Sequence, residues 1–382
     1  MFNKKLVFWA ACSGILLFGI GLITLGSVVP DLRVKHNLDE ISSGTLFSIM
    51  PFGILTGSLL FGPICDKYGY KLLLIVSCIL LFIGFEGIAY AQSVTLLKFS
   101  VFFFGLGGGA INGATNAVVS DITPKEKGAE LSILGVFFGI GALGMPMILG
   151  LLKNDLSFET ILGLVGVFAL IIAVFFALIR FPEPKQKQGF PIRQSFRLLK
   201  DNLLLLIAFF LFCQSSFEAI INNWTTSFLV NRLRVDANEA LYALSLFIAG
   251  LTVMRLLIGT VLRKVNDFTI MFVSFGLILS GLLLLKTSDS LSIAMIALIL
   301  LGAGLSGGFP IMFGIVGNRY TSLSGTAFSF ILVIALIGNM IVNYGMGIIA
   351  EHFGVQQVVN VALIELALMI VLCLFIKKIN AK

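Results

Sequence analysis

Gly62-Pro63-Ile64-Cys65-Asp66-Lys67-Tyr68-Gly69-Tyr70-Lys71 is a short charged turn at the junction of two apolar blocks, 44–64 and 71–91. Each block has about twenty residues, the length at which a helix crosses roughly 30 Å of hydrocarbon. The stretch therefore reads as a membrane hairpin, two spanning helices joined by a turn. The same alternation of apolar block and short polar turn continues in both directions. It predicts twelve spans, at 6–29, 44–64, 71–91, 95–119, 128–151, 159–180, 203–230, 238–262, 268–286, 290–316, 324–349 and 355–377. The first follows Lys4-Lys5, exceeds a signal-peptide core in length and lacks a small-residue cleavage site, so it reads as an uncleaved membrane helix.

Composition supports the hairpin reading. Hydrophobic residues make up 58% of the chain and charged residues 12%, whereas a soluble domain is about half apolar and a quarter charged. So few charges could not cover a soluble surface of this size. The net charge of +7 is scattered through short loops instead of forming a stripe, which argues for topology signals and against a nucleic-acid partner. The Lys and Arg residues concentrate in alternate loops. By the positive-inside rule both termini are expected in the cytoplasm, in a plasma membrane of the bacterial inner-membrane type. Cys12, Cys65, Cys78, Cys213 and Cys373 lie in or beside apolar blocks without metal-ligand spacing, so they read as packing residues and no metal is expected.

The longest polar stretch runs from Phe181 to Asn202 and divides the chain into near-equal halves. The expected organisation is an N-terminal six-helix bundle over 1–181, a cytoplasmic linker over 182–202 and a C-terminal six-helix bundle over 203–382. The halves repeat faintly: Gly105-Leu-Gly107 of the fourth span is echoed by Gly302-Ala-Gly304 of the tenth.

The 62–71 turn resembles the signature of the major facilitator superfamily, Gly-x-x-x-Asp-Arg/Lys-x-Gly-x-Arg/Lys, in spacing and in position between spans two and three. The resemblance implies an all-α integral membrane fold of twelve helices in two six-helix bundles. It also implies a secondary active transporter working by alternating access, with Gly62, Asp66, Lys67, Gly69 and Lys71 as a cytoplasmic gate. Asp66 would accept hydrogen bonds from a facing helix N-terminus; the plain alternative is a solvated loop charge balanced by Lys67. The second half carries Arg263 where the motif has its acid, in Gly259-Thr-Val-Leu-Arg263-Lys264, and Arg255 stands near the end of span eight, at the gate or snorkelling to the cytoplasm.

Span four reads Gly105-Leu-Gly-Gly-Gly-Ala-Ile-Asn112-Gly-Ala-Thr-Asn116, span five carries Phe137-Phe138-Gly139-Ile-Gly141, and span seven carries Glu218-Ala-Ile-Ile-Asn222-Asn223-Trp224. Together these segments resemble the fucose permease family of sugar–proton symporters. Relatives of that family carry acids in spans one and four, where this chain has Gly26 and Asn112, so the usual coupling carboxylates are missing.

Polar groups inside a bilayer are costly and mark pathways or helix contacts. The resemblance places spans one, four, seven and ten around the substrate and turns three, six, nine and twelve outward. Gln214, Glu218 and Asn222 recur every fourth residue and share one face of span seven; Asn112 with Asn116 and Asn339 with Asn343 are two further pairs four apart. Amides both donate and accept, which suits sugar hydroxyls, and Trp224 offers a flat apolar platform. The bland reading is that these asparagines join helices by hydrogen bonds. Trp224 points away from the Glu218 face on an unbroken helix, so a platform role requires a break at Asn222-Asn223.

The candidate substrate-binding residues are thus Asn112, Asn116, Gln214, Glu218, Asn222, Asn223, Trp224, Asn339 and Asn343. Glu218 is also the candidate for coupling to a proton or sodium, because it is the one acid on an inward span. Glu86 and Glu365 fall on outward spans and are expected to be structural or to meet a partner helix. His36 and His352 are expected in external loops. The expected partners are a small neutral solute such as a sugar and the lipid bilayer, with the protein a monomer and no cofactor. Efflux of amphipathic compounds, favoured by the many Phe and Met residues, is the alternative. An enzyme is not expected, since no intramembrane His, metal spacing or nucleophile–base pair is present.

Overall fold

The computed structural model describes residues 2–122, 127–182, 201–287, 289–319 and 324–380. Among the described residues it contains twelve helices able to cross a membrane: Lys4–His36, Glu40–Phe61, Tyr68–Tyr90, Val94–Val119, Ile133–Leu152, Phe158–Leu178, Asn202–Leu233, Ala237–Ile258, Asp267–Thr287, Leu291–Val316, Phe330–Phe353 and Val355–Asn380. They are spans 1 to 12 below. No strand occurs among the described residues. The fold class read from the sequence is therefore the one observed.

Local chemistry sets the ends. Asn3 accepts from the backbone N–H of Leu6 at 3.3 Å, and Asp201 accepts from Leu203 and Leu204 at 2.9 and 3.2 Å, so each opens a helix by satisfying orphan donors. Span 1 runs past its expected end to His36, where Asn37 takes a left-handed conformation (φ 50°, ψ 46°) and returns its N–H to Arg33. Hydropathy reports only the hydrocarbon length, whereas the helix continues until a residue leaves helical geometry. His36 and His352 accordingly sit in last helical turns, not in loops as expected. Spans 2 and 3 are one continuous helical stretch, Glu40–Tyr90, interrupted at Gly69 (φ 80°, ψ 169°). That conformation suits a residue without a Cβ, which is why the turn carries glycine there.

The chain divides into two compact units, Met1–Leu38 with Leu46–Gly189, and Asp39–Thr45 with Phe190–Lys382. Most of the expected linker 182–202 lies outside the described residues. In the first unit span 1 packs on spans 4 and 5; in the second, span 7 packs on spans 11 and 12 and span 10 on spans 8 and 9.

The Gly-x-Gly echo has a physical basis. A Cβ on Gly105 would strike the Met50 carbonyl of span 2, and one on Gly107 would lie 2.7 Å from the Ser77 carbonyl of span 3. At one constant sequence spacing, a Cβ on Gly302 would strike the Phe247 carbonyl of span 8, and one on Gly304 would lie 2.8 Å from the Ser274 carbonyl of span 9. Spans 4 and 10 are thus each clamped between two neighbours at backbone contact. The same spacing relates two cation–carbonyl contacts, though not the acids that each cation also meets. Lys35 donates to the Ala89 carbonyl at 2.6 Å and to Glu159 at 3.0 Å; Arg232 donates to the Lys286 carbonyl at 3.2 Å and to Asp289 at 3.1 Å. The halves repeat in contacts as well as in sequence.

Span 6 leaves Leu164, Ile171, Val174 and Leu178 exposed, an apolar surface suited to lipid. All five cysteines are buried, which agrees with a packing role.

Candidate functional site

Two amide pairs on different spans have the same local form. The Asn116 Nδ2 donates to the backbone carbonyl of Asn112 at 2.8 Å and to its Oδ1 at 3.0 Å. The Asn343 Nδ2 does the same to Asn339, at 2.8 and 3.0 Å. Their surroundings differ. Asn116 is exposed, although it lies within span 4 of the first unit. Asn343 is fully buried in the second unit, and its Oδ1 accepts from Asn223 Nδ2 of span 7 at 3.1 Å. Asn223, Asn343 and Asn339 therefore form one amide chain between spans 7 and 11.

The Gln214–Glu218–Asn222 face is real, because Asn202–Leu233 is an uninterrupted helix, but its members are used differently. Gln214 is buried, and its Nε2 donates to the Leu305 carbonyl at 2.9 Å. Leu305 ends the first half of span 10, which breaks at Ser306-Gly307 before resuming at Gly308. Such a break frees carbonyls from the helical ladder, and Gln214 satisfies one of them. Glu218 is half-buried, with the guanidinium of Arg255 on span 8 in electrostatic reach. The Arg255 Nε is buried without a hydrogen-bond partner. Asn222 is 7% exposed, and its Oδ1 is buried with no hydrogen-bond partner. Trp224 is fully buried. The break that a Trp224 platform would need at Asn222-Asn223 is absent, and the discontinuity lies on span 10 instead.

Of the residues expected to form the gate, Gly69 interrupts the helix between spans 2 and 3 and Lys71 is half-buried. The surroundings of Gly62 and the side chains of Asp66, Lys67, Arg263 and Lys264 lie outside what the structure describes.

Sequence reasoning gave no binding role to the partners of Glu365. This acid is 5% exposed in span 12 and hydrogen-bonds to the Ser216 hydroxyl of span 7. Its signal was an isolated acid inside the run Val358–Ile376, but nothing in that run names Ser216. Glu86 of span 3 packs against span 6, where a Cβ on Gly166 would lie 2.9 Å from its Oε1. A crevice of about 520 Å³, lined by Ile258, Asp267, Pro310, Gly314, Arg319 and Asn380 among others, opens at the end of the second unit that carries Asn380. It contains none of the expected binding residues. No cluster of three or more metal-ligating side chains occurs among the described residues.

Twelve apolar helices among the described residues and the internal duplication point to an integral membrane carrier. The Major Facilitator Superfamily profile matches residues 11–330, and the chain belongs to that family of transporters. It is 23% identical over 320 residues to a Staphylococcus aureus protein described as "Probable nitrate transporter NarT", covering 81% of this chain and 80% of that one. Among solved structures it resembles the nucleoside transporter NupG (TM-score 0.82, 16% identity, 98% of this chain and 99% of that one). It also resembles a D-xylose-proton symporter (TM-score 0.82, 14% identity, 97% of each). At these identities the structures establish the fold alone. The reading against an enzyme agrees with the family.

Proposed function

We propose that this transporter moves a small neutral solute rich in hydroxyls, a sugar or polyol, by alternating access, with Glu218 coupling its movement to a proton or sodium ion. The observation that carries the reading is the Asn222 Oδ1. It is an acceptor buried without a partner, next in sequence to Asn223 of the Asn223–Asn343–Asn339 chain and one helical turn beyond Glu218. A buried amide oxygen lacking a donor is unfavourable, and a hydroxyl of the solute would supply that donor. The exposed Asn116, held by Asn112, gives the first unit an amide of the same kind. The printed description of the xylose symporter is compatible with this chemistry.

The test is D-xylose counterflow in liposomes with wild type and Asn222→Ala. Loss of one hydrogen bond to the solute is expected to weaken binding by about 1–3 kcal/mol, with the protein's thermal stability unchanged. Equal apparent affinity in the two proteins would assign Asn222 to helix packing.

A second reading has its own observation. The Arg255 guanidinium, with a buried and unpartnered Nε, suits a small anion, and a relative is described as a nitrate transporter. Nitrate counterflow without xylose counterflow would favour it.

The 62–71 turn is proposed as the gate on the cytoplasmic side, with both termini on that side of a plasma membrane. Asp66→Asn is expected to cripple net transport while leaving solute affinity near that of wild type. A full transport rate in that variant would remove the gate from the account.

A further inference from the structure

Glu365 has a problem of hydrogens. Its Oε1 touches the Ser216 hydroxyl, and its Oε2 is buried with no hydrogen-bond partner. Ser216 Oγ also lies 2.7 Å from the Phe212 carbonyl, four residues back on its own helix, and 3.1 Å from the Cys213 carbonyl. A serine hydroxyl has one hydrogen to give. Other membrane hydroxyls of this chain direct that hydrogen to the carbonyl four residues back, as Ser27, Ser77, Thr115 and Ser245 do. If Ser216 follows them, the hydrogen between Ser216 and Glu365 must come from the carboxyl.

The surroundings argue the same way. Span 12 packs on spans 7 and 9. On span 7 the Cys213 thiol, three residues before Ser216, is in electrostatic reach of the carboxyl, and Glu218 stands two residues beyond Ser216 on the same helix. On span 9, Lys286 is held by Asn360 Oδ1 at 2.9 Å, more than a turn away along span 12, and Lys377 lies over the Phe272 ring, three turns away in the other direction. Cys373 is two turns further along span 12 and also buried. Neither lysine pairs with the carboxyl. An ionised carboxylate here would leave Oε2 bare inside hydrocarbon, with one hydroxyl as its support.

We propose that Glu365 and Ser216 form a proton-binding site of the transporter, loaded in this structure, which ties span 12 to span 7 two residues before Glu218. The loaded acid donates from the carboxyl to Ser216 Oγ while Ser216 donates to Phe212. On release, the proton goes to water and the Ser216 hydrogen swings from the Phe212 carbonyl to the carboxylate. The switch thus alters the hydrogen bonding of the helix that also carries Glu218 and Asn222. The site rests on the transport reading, but on neither Glu218 nor the identity of the solute.

The experiment uses purified full-length protein. Infrared spectroscopy at neutral pH is expected to show a protonated-carboxyl stretch that is absent in Glu365→Gln, retained in Glu218→Gln and shifted in Ser216→Ala. A spectrum of Glu365→Gln matching wild type would overturn the site. In liposomes, D-xylose and nitrate exchange are measured from acid to alkaline pH. Glu365→Gln, which mimics the loaded acid, is expected to flatten the pH profile that wild type shows. Superimposed profiles would restrict Glu365 to holding the two helices together and overturn its part in transport. If wild type exchanges neither solute, the proposed solute class fails, while the infrared result still decides whether the proton site exists.

Discussion

Glu218→Gln is expected to abolish concentrative uptake while leaving exchange of solute across the membrane intact. The substitution preserves shape and removes ionisation. Glu218 lies well inside span 7, half-buried, with Arg255 as its electrostatic neighbour. An intramembrane acid in such a place marks an ion pathway in membrane carriers. Binding a proton or a sodium ion changes the charge that Arg255 faces, so the ion and the guanidinium compete for the same carboxylate. A carrier whose conformations differ in that balance moves solute uphill when an ion gradient is imposed. Gln keeps the hydrogen-bonding capacity but presents the same charge in every state, so exchange persists and accumulation is lost. The measurement is uptake into liposomes under an imposed proton gradient, then an imposed sodium gradient, with counterflow as the control. Equal accumulation by variant and wild type under both gradients would exclude Glu218 as the coupling group. Loss of exchange as well would mean that the acid positions solute or supports the fold.

Gly302→Leu is expected to prevent the second unit from folding, and Gly105→Leu to do the same to the first. A Cβ at Gly302 would strike the Phe247 carbonyl and lie 2.8 Å from the Leu251 nitrogen. At Gly105 it would strike the Met50 carbonyl and lie 3.1 Å from the Gly53 Cα. In each case the obstacle is backbone, which cannot rotate aside as a side chain does. Extra atoms in a packed core cost about 1–3 kcal/mol where side chains can adjust, and more is expected where two helices must separate along their length. Each central span is also clamped on a second neighbour, through Gly304 on span 9 and Gly107 on span 3, so a shift away from one partner is resisted by the other. The readouts are monodispersity in detergent and Tm, with Gly302→Ala as a milder step in the same direction. A wild-type Tm for Gly302→Leu would contradict the observed crossing.

Much of this architecture is legible in the amino-acid sequence. Span length against bilayer thickness is a local count, so twelve helices follow from hydropathy without any knowledge of neighbours. The Gly62–Lys71 turn and the repeated Gly-x-Gly pattern are likewise contiguous signals, and they lead to the superfamily and to the duplication seen in the contacts. The i, i+4 spacing of Asn112 with Asn116 and of Asn339 with Asn343 is local too, and each pair forms the bond that its spacing allows.

What the sequence could not determine is which way each polar side chain turns. In a soluble helix the apolar stripe marks the inward face. In a bilayer lipid and protein core are equally apolar, so the pattern does not separate them. Gln214 is spaced to share a face with Glu218 and Asn222, yet it serves the broken backbone of span 10, because that break frees a carbonyl within its reach. Asn223 reaches Asn343, and Glu365 finds Ser216 across 149 positions of chain. These pairings depend on helix rotation and on the close crossings that glycine permits, and the tertiary structure alone decides them.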